Sequence, residues 1–243
     1  MVDRPSVKYL TRLATTPDDL QMAQRLRFRS FRGEGPGLDA DDLDPLCSHF
    51  LVEEAATGRL VCCFRVLPLE NGSQIGRSYS ARFYNLSRLE GFEGPMVEMG
   101  RFCMDPAYKD PDILRLAWGA MTRYVDENNV QMLFGCSSFK GTEAETYLDA
   151  FALLKEKHLA PKRWLPRVKA PKVFRFASKL KMRKPDLKNA MKGMPPLLRT
   201  YLFMGGWVSD HAVVDRDLGT LHVFTGLEIG RVPAARARLL RAS

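Results

Sequence analysis

The sequence has 243 residues, 45% of them hydrophobic, 27% charged and 10% aromatic, with 37 Lys and Arg against 28 Asp and Glu and a formal charge of +9. That composition carries a sizeable core and excludes the disordered and collagen-like classes. No apolar run approaches the roughly 18 residues of a spanning helix, and the opening Met1–Ser6 lacks the apolar stretch of a secretory signal, so a cytoplasmic protein is expected.

The predicted elements begin with a helix. Thr16 supplies a capping hydroxyl, Pro17 fits the first turn, and Asp18 and Asp19 sit near the positive end of the dipole. The helix is predicted to run to about Phe31, with Leu20, Ala23, Arg27 and Phe31 inward, so Arg27 needs a buried acidic partner. Residues 33–45 follow as a flexible acidic loop carrying Asp39, Asp41, Asp42 and Asp44. Ser48–Glu54 and Arg59–Leu67 read as an antiparallel pair turning at Thr57-Gly58. The adjacent Cys62 and Cys63 would point to opposite faces of their strand, and with five cysteines in all a disulfide framework is not expected. A third strand is predicted over Met96–Met104. Asp110-Pro111-Asp112 then opens a helix whose stripe is Ile113, Leu116, Ala117, Ala120, Met121, Tyr124 and Val125. A strand over Val130–Cys136, a helix from Thr142 to about Lys157, and strands over Phe203–Ser209 and Thr220–Glu228 complete the pattern. This order predicts a single α/β domain over residues 1–243 with a mixed, mostly antiparallel sheet flanked by helices, interrupted by a basic helical insertion at 160–199.

Charge is concentrated in that insertion: residues 162–199 hold thirteen basic side chains and one acid, Asp186, leaving the rest of the chain at −3. An acidic partner would be met there. Two faces are predicted within it, Val173, Phe176, Ala177 and Leu180, then Leu187, Ala190, Met191 and Met194. Basic amphipathic helices suit an anionic membrane surface or an acidic carrier protein, and a lid packed on its own domain is the third reading. Candidate residues of the surface are Lys179, Lys181, Arg183, Lys184, Phe176 and Leu180. Nucleic acid is not expected, because no aromatic stacking motif accompanies the charge.

Other chemistries leave no pattern. The four histidines form no ligand spacing with cysteines, so no metal is expected; no phosphate-cradling glycine loop of the nucleotide-binding kinds occurs; and Cys47 and Cys103 read as packing. The informative residues are charges placed in apolar strands. Glu98 and Arg101 lie in Val97–Cys103, and Arg65 shares a strand face with Val61, Cys63 and Leu67. Such charges are costly unless they pair or face a cleft. A bulge at Met99-Gly100 would bring Glu98 and Arg101 to one face. The cations in the core pattern are then Arg27, Arg65 and Arg101, and the available anions Asp41, Asp44 and Glu98.

The run Leu26-Arg27-Phe28-Arg29-Ser30-Phe31, with Asp41 and Asp44 three apart, Arg65 on a strand and Glu98 three before Arg101, resembles the acyl-homoserine-lactone synthases, which share the GNAT acyltransferase fold. The resemblance to the L-ornithine Nα-acyltransferases is closer. It rests on Asp-Pro-x-Cys-x-His at 44–49, Glu-x-Gly-Arg-x-Cys at 98–103, Leu-Phe-Gly-Cys-x-Ser-Phe-x-Gly-Thr at 133–142, Pro-Pro-Leu-Leu-Arg at 195–199 and Val-Val-Asp-Arg-Asp-x-Gly-Thr at 213–220. The match covers most of residues 9–229. It implies a GNAT fold and transfer of a 3-hydroxyacyl chain from acyl carrier protein to the α-amine of L-ornithine.

On that resemblance Glu98 is expected to be the general base, directly or through a water. Asp41 and Asp44 would hold or help deprotonate the cationic amino acid, while Arg27, Arg65 or Arg101 pairs its carboxylate or braces the acids. GNAT enzymes that use coenzyme A carry a glycine-rich loop before the long helix, whereas this chain has Ala107-Tyr108-Lys109-Asp110-Pro111-Asp112. A carrier-protein donor is therefore expected and no separate cofactor. Lys109 or Arg115 would meet the single phosphate of phosphopantetheine, and Phe102 the acyl chain.

Overall fold

The computed structural model describes residues 7–241. The opening hexapeptide, read above for a signal segment, lies outside the described residues. In chain order the elements are β1 (Tyr9–Leu13), α1 (Pro17–Arg32), β2 (Ser48–Glu54), β3 (Leu60–Leu69), β4 (Tyr84–Asn85), β5 (Met96–Met104), α2 (Pro111–Glu127), β6 (Met132–Lys140), α3 (Leu148–Lys157), β7 (Arg167–Val168), β8 (Val173–Phe174), α4 (Phe176–Lys179), α5 (Leu187–Gly193), α6 (Pro196–Phe203), β9 (Trp207–Val208), β10 (Ala212–Asp215), β11 (Thr220–Glu228) and α7 (Ala234–Arg241). The described residues gather into two compact units: residues 7–67, 99–129 and 238–241, and residues 68–98 and 130–237. Strand β5 contributes residues 96–98 to the second unit and 99–104 to the first.

In the first unit β1, β2 and β3 form an antiparallel meander, registered Tyr9↔Glu54 to Leu13↔Phe50 and Ser48↔Val66 to Glu53↔Leu60. Strand period two separates the faces. Leu51, Cys63 and Cys103 pack with Ala23 and Leu26 of α1, while on the alternate positions Phe50 stacks on Phe64 at 4.7 Å, Phe64 on Phe102 at 5.9 Å, and Phe50 meets Tyr124 of α2 edge-on at 5.8 Å. Helix α1 starts where expected: the Thr16 hydroxyl accepts from the Asp19 amide, and Asp19 Oδ2 accepts from the Thr16 amide. The acidic loop differs from the expected flexible segment. The Asp39 amide donates to the carbonyl of Gln24 in α1, residues 44–46 form a short 3₁₀ turn, and Asp39 and Asp44 are buried. A Cβ at Gly37 would lie 2.2 Å from the Phe28 ring, which would have to shift to admit it.

In the second unit β5 pairs with β6 in parallel over three residues, Met96↔Met132 to Glu98↔Phe134. β6 is longer than predicted and pairs with β11 along its full length, from Met132↔Glu228 to Lys140↔Thr220. β10 adds to the far edge of β11 and β8 to β10. Phe203, expected to open a strand, instead ends α6, and the strand shortens to Trp207–Val208. The expected helix at 142–157 begins as a 3₁₀ turn at 144–147 before α3.

Residues 160–199 belong to this second unit and carry three short helices rather than long ones. Phe176 is 0% exposed and stacks on Phe151 of α3 at 5.2 Å, and Leu180, Ala190, Met194 and Leu198 share its core. This corrects the expectation that Phe176 and Leu180 form a contact surface. The amphipathic face is real, but the molecule covers it with its own α3 and sheet.

Candidate active site

The charged residues of the first unit close into a ring. Arg27 Nε lies 3.0 Å from Asp39 Oδ2 and its Nη1 2.7 Å from Asp44 Oδ1. Arg65 Nη1 reaches Asp44 Oδ1 and Asp41 Oδ1 at 2.5 Å each, and its Nη2 donates to Asp41 Oδ2 at 2.8 Å. Arg101 completes the circuit, its Nη2 3.1 Å from Asp41 Oδ2 and its Nε 3.0 Å from Asp39 Oδ2. Three guanidiniums thus alternate with three carboxylates, and the ring's formal charge is zero. Gln24 donates to Asp44 at 2.9 Å, and His49 Nε2 lies 3.0 Å from the Asp44 carbonyl oxygen.

Each element supplies its charge for a local reason. Arg27 lies on the buried stripe of α1, one turn after Ala23, and Arg65 follows Val61 and Cys63 at period two on β3. Arg101 has φ +53°, a left-handed backbone uncommon outside glycine. The irregularity expected at Met99-Gly100 therefore falls one residue later. Local strain of this kind persists where surrounding contacts fix it, and Arg101's two carboxylate partners supply them.

Electrostatics follows from the pairing. Burial opposes the charge on Asp41, but the bidentate Arg65 outweighs it and holds the carboxyl well below its ordinary range; Asp44 is lowered the same way, with Arg27 as the main counterweight. Burial lowers His49, which sits beside two guanidiniums. Carboxylates held down in this way are weak proton acceptors. The ring is not uniformly closed: side-chain exposure is 1–4% at Arg27, Asp39, Asp44 and Arg65 but 14% at Asp41 and 11% at Arg101. The Asp41–Arg101 corner is its accessible edge.

Glu98 is organised separately, in the second unit. Its Oε2 accepts from the Tyr79 amide at 2.7 Å, and Oε1 from the Ser80 amide at 2.7 Å and the Ser80 hydroxyl at 2.5 Å. Ser80 Oγ also lies 3.4 Å from Cys136 Sγ on β6. A buried carboxylate that ends the β5–β6 pairing and is held by three donors has a fixed position and orientation. Burial, and then the charge of Glu98, raise the phenol of Tyr201 on α6 far above its usual value. A further buried polar group joins Tyr84 to His222: the Tyr84 hydroxyl lies 3.1 Å from His222 Nδ1 and donates to its carbonyl at 2.8 Å.

The start of α2 is occupied by protein groups. Asp110 caps it, accepting from the Asp112 amide at 3.0 Å while Lys8 and Tyr9 reach its other oxygen at 2.5 and 3.2 Å. Lys109 and Arg115 are exposed, Arg115 pairing with Asp112 at 3.2 Å. Phe102 is half-buried at the end of the aromatic stack. Lys179, Lys181, Arg183 and Lys184 are exposed, Lys179 lying 5.3 Å from the Phe174 ring centre and Arg183 tied to Asp149 at 3.0 Å. Among the described residues no group of three His, Cys, Asp or Glu side chains is placed to hold a metal.

Three site residues escape the sequence reading. Asp39 is one of four aspartates in one loop, and only the fold selects it for Arg27 and Arg101. Ser80 lies in a stretch without periodicity. Tyr201 follows the Pro-Pro-Leu-Leu-Arg motif by two residues, which is the signal that points to it.

The Acetyltransferase (GNAT) domain family matches residues 26–119. The L-ornithine N(alpha)-acyltransferase of Rhodobacter capsulatus is 31% identical over 232 residues, covering 89% of this chain and 88% of that protein. The enzymes of that name from Brucella abortus and Rhizobium meliloti are 30% and 29% identical, each over 91% of this chain and over 84% and 80% of their own length. Among solved structures, the N-acyl amino acid synthase FeeM from uncultured soil microbes superposes with a TM-score of 0.53 at 12% identity, covering 91% of this chain and 92% of that one. The fold is that of the GNAT acyltransferases.

Proposed function

The chain belongs to the L-ornithine N(alpha)-acyltransferase family and is an acyltransferase, and we propose that it moves a 3-hydroxyacyl group from an acyl carrier protein thioester to the α-amine of L-ornithine. The observation that carries the amine substrate is the near full-length relationship to the Rhodobacter capsulatus enzyme. The α-amine is also the easier of ornithine's two amines to present neutral, since an ordinary α-amine titrates near about 8 and a lysine-like side-chain amine near about 10.4.

In this reading the α-nitrogen attacks the thioester carbonyl carbon, the carbonyl oxygen becomes an oxyanion, and collapse forms the amide and expels the pantetheine thiolate. Glu98 takes one proton from the α-ammonium before attack, directly or through a water, and passes it to solvent, while the second proton, lost from the nitrogen as the intermediate collapses, protonates the departing thiolate. Glu98 suits the task because Ser80 and Tyr79 fix its orientation before substrate arrives. Within the first unit, the accessible Asp41 and Arg101 offer opposite charges suited to the charged groups of an amino acid, and Arg27, Asp39, Asp44 and Arg65 hold them in place.

The donor assignment rests on the start of α2. A pyrophosphate cradle needs free amides at a glycine-rich turn, and here Asp110, Lys8 and Tyr9 fill that position. A carrier-borne phosphopantetheine presents one phosphate, for which Lys109 and Arg115 are the nearby cations, with Phe102 lining the acyl path. The protein itself works at the cytoplasmic face of the membrane, where its lipid product partitions.

The test is incubation with 3-hydroxyacyl carrier protein or 3-hydroxyacyl coenzyme A and a panel of amines, with mass analysis of the product. Acylation of ornithine at the α-nitrogen from the carrier donor supports the reading. Equal use of coenzyme A refutes the donor assignment, and a homoserine-lactone product refutes the substrate.

A further inference from the structure

The basic segment presents a surface to which the acyl-transfer steps above assign no role. Between α4 and α5 the chain turns at residues 180–183, and Lys155 of α3 donates its ammonium protons to three carbonyls of that turn: Leu180 at 2.9 Å, Lys181 at 3.3 Å and Arg183 at 3.1 Å. Arg183 is drawn back onto Asp149, which also accepts from the Asp186 amide at 3.3 Å. The turn is pinned on its inner side, and at its tip Met182 is 94% exposed.

α5 continues the same arrangement. Ala190 and Met194 are buried in the core, so Leu187 and Met191, four residues apart, form an outward ridge, 55% and 46% exposed. Lys188 and Lys192 form the next ridge, and Lys181 and Lys184 flank Met182; all four are exposed. Three large apolar side chains held outward beside four lysines, with only Asp186 among the acids of 176–194 and that one capping α5 through the Asn189 amide, make an amphipathic cationic surface.

The geometry points to an anionic lipid bilayer as the partner of this surface, with Met182, Leu187 and Met191 entering the acyl boundary and Lys181, Lys184, Lys188 and Lys192 reaching the phosphate headgroups. Lysine stems lie along apolar surface while their heads stay in water, which suits the headgroup layer. An acidic carrier protein would be met through charge alone and gives no reason to hold a methionine almost wholly in solvent; the one arginine of the patch, suited to bidentate protein carboxylates, is turned inward to Asp149. The residues differ from the Phe176 and Leu180 face expected from periodicity, which is core. The proposal deepens the membrane-face reading given above, and because its test reads vesicle binding and not turnover, its failure is distinguishable from failure of the acyl-transfer reading.

The test uses the full chain with phosphatidylcholine vesicles, with and without phosphatidylglycerol, in a flotation assay, alongside binding to an acidic carrier protein. Two variants are needed: Met182→Ser, Leu187→Ser, Met191→Ser, and Lys181→Gln, Lys184→Gln, Lys188→Gln, Lys192→Gln. All seven positions are exposed, and unchanged circular dichroism verifies the fold. Wild type should float with phosphatidylglycerol vesicles and be released by salt. The lysine variant should lose on the order of 10³-fold in partitioning at moderate salt, and the apolar variant should also lose vesicle binding while its carrier binding holds. Wild-type binding that does not need phosphatidylglycerol, or that survives the apolar variant, overturns the proposal; loss of carrier binding alone in the lysine variant reassigns the surface to the carrier.

Discussion

Replacing Asp39 by Asn tests whether the ring acts as a unit. The substitution keeps shape but leaves three guanidiniums facing two carboxylates, with Arg27 and Arg101 each losing a 3.0 Å partner at a side chain only 1% exposed. Removing one member of a buried, hydrogen-bonded charge group costs about 3–5 kcal/mol, because the remaining charge stays desolvated. With an urea slope of about 2–3 kcal/mol/M, the unfolding midpoint should fall by about 1.5 M. Because the chain has two compact units, the loss should be followed by hydrogen exchange in peptides of α1, β2 and β3 as well as by the global midpoint. Adding Arg101→Gln restores equal numbers of cations and anions, so the double variant should be less destabilised than the sum of the singles by about 1.5 kcal/mol or more. Additive effects, or a cost under about 1 kcal/mol for Asp39→Asn, would refute the ring and reduce it to independent pairs.

Other outcomes follow from the same geometry. Glu98→Gln should cut turnover by about 10² or more while circular dichroism and the urea midpoint show a folded protein, since the amide keeps an oxygen for the Ser80 donors but takes no proton; near wild-type turnover would remove Glu98 as the base. Asp41→Asn should raise the Michaelis constant for ornithine more than that for the acylated carrier, because Asp41 is the exposed acid of the ring, and an effect confined to the carrier would place it elsewhere. Burial first, and then His211, hold the His222 imidazole down to about 3 against 6.5 in the unfolded chain. The unfolded state therefore binds the extra proton between those values, and stability present above pH 6.5 should fall by about 1.4 kcal/mol per pH unit on acidification. Urea midpoints at pH 7, 6 and 5 should show a shallower slope for His222→Gln than for wild type, and parallel slopes would mean that other groups govern acid unfolding.

How much of this is visible in the sequence depends on the range of the interaction. The start of α1 and both ends of β5 come out to the residue, because Thr16, Pro17 and Asp19 act within one turn and Met96–Met104 is a bounded apolar run. The three ring arginines are legible for a related reason: a cation at a buried helix or strand position requires an acid. Which acid is a tertiary matter. Four aspartates lie in the 33–45 loop, and one of those omitted from the expected anions, Asp39, bridges Arg27 and Arg101 and lies 3.6 Å from Arg32, because the Asp39 amide is fixed to Gln24 by a backbone bond that no pattern announces. Ser80 holds Glu98 across eighteen residues, and Tyr84 meets His222 across 138, separations at which periodicity says nothing. The basic segment gives the sharpest contrast. Spacing correctly identified Phe176 and Leu180 as one face, but amphipathicity states only that a face must be covered, not what covers it. Here α3 lies against that face, and the cationic surface passes to Met182, Leu187 and Met191, of which Met182 belongs to no helix and could be found only from a turn whose carbonyls are tied to Lys155.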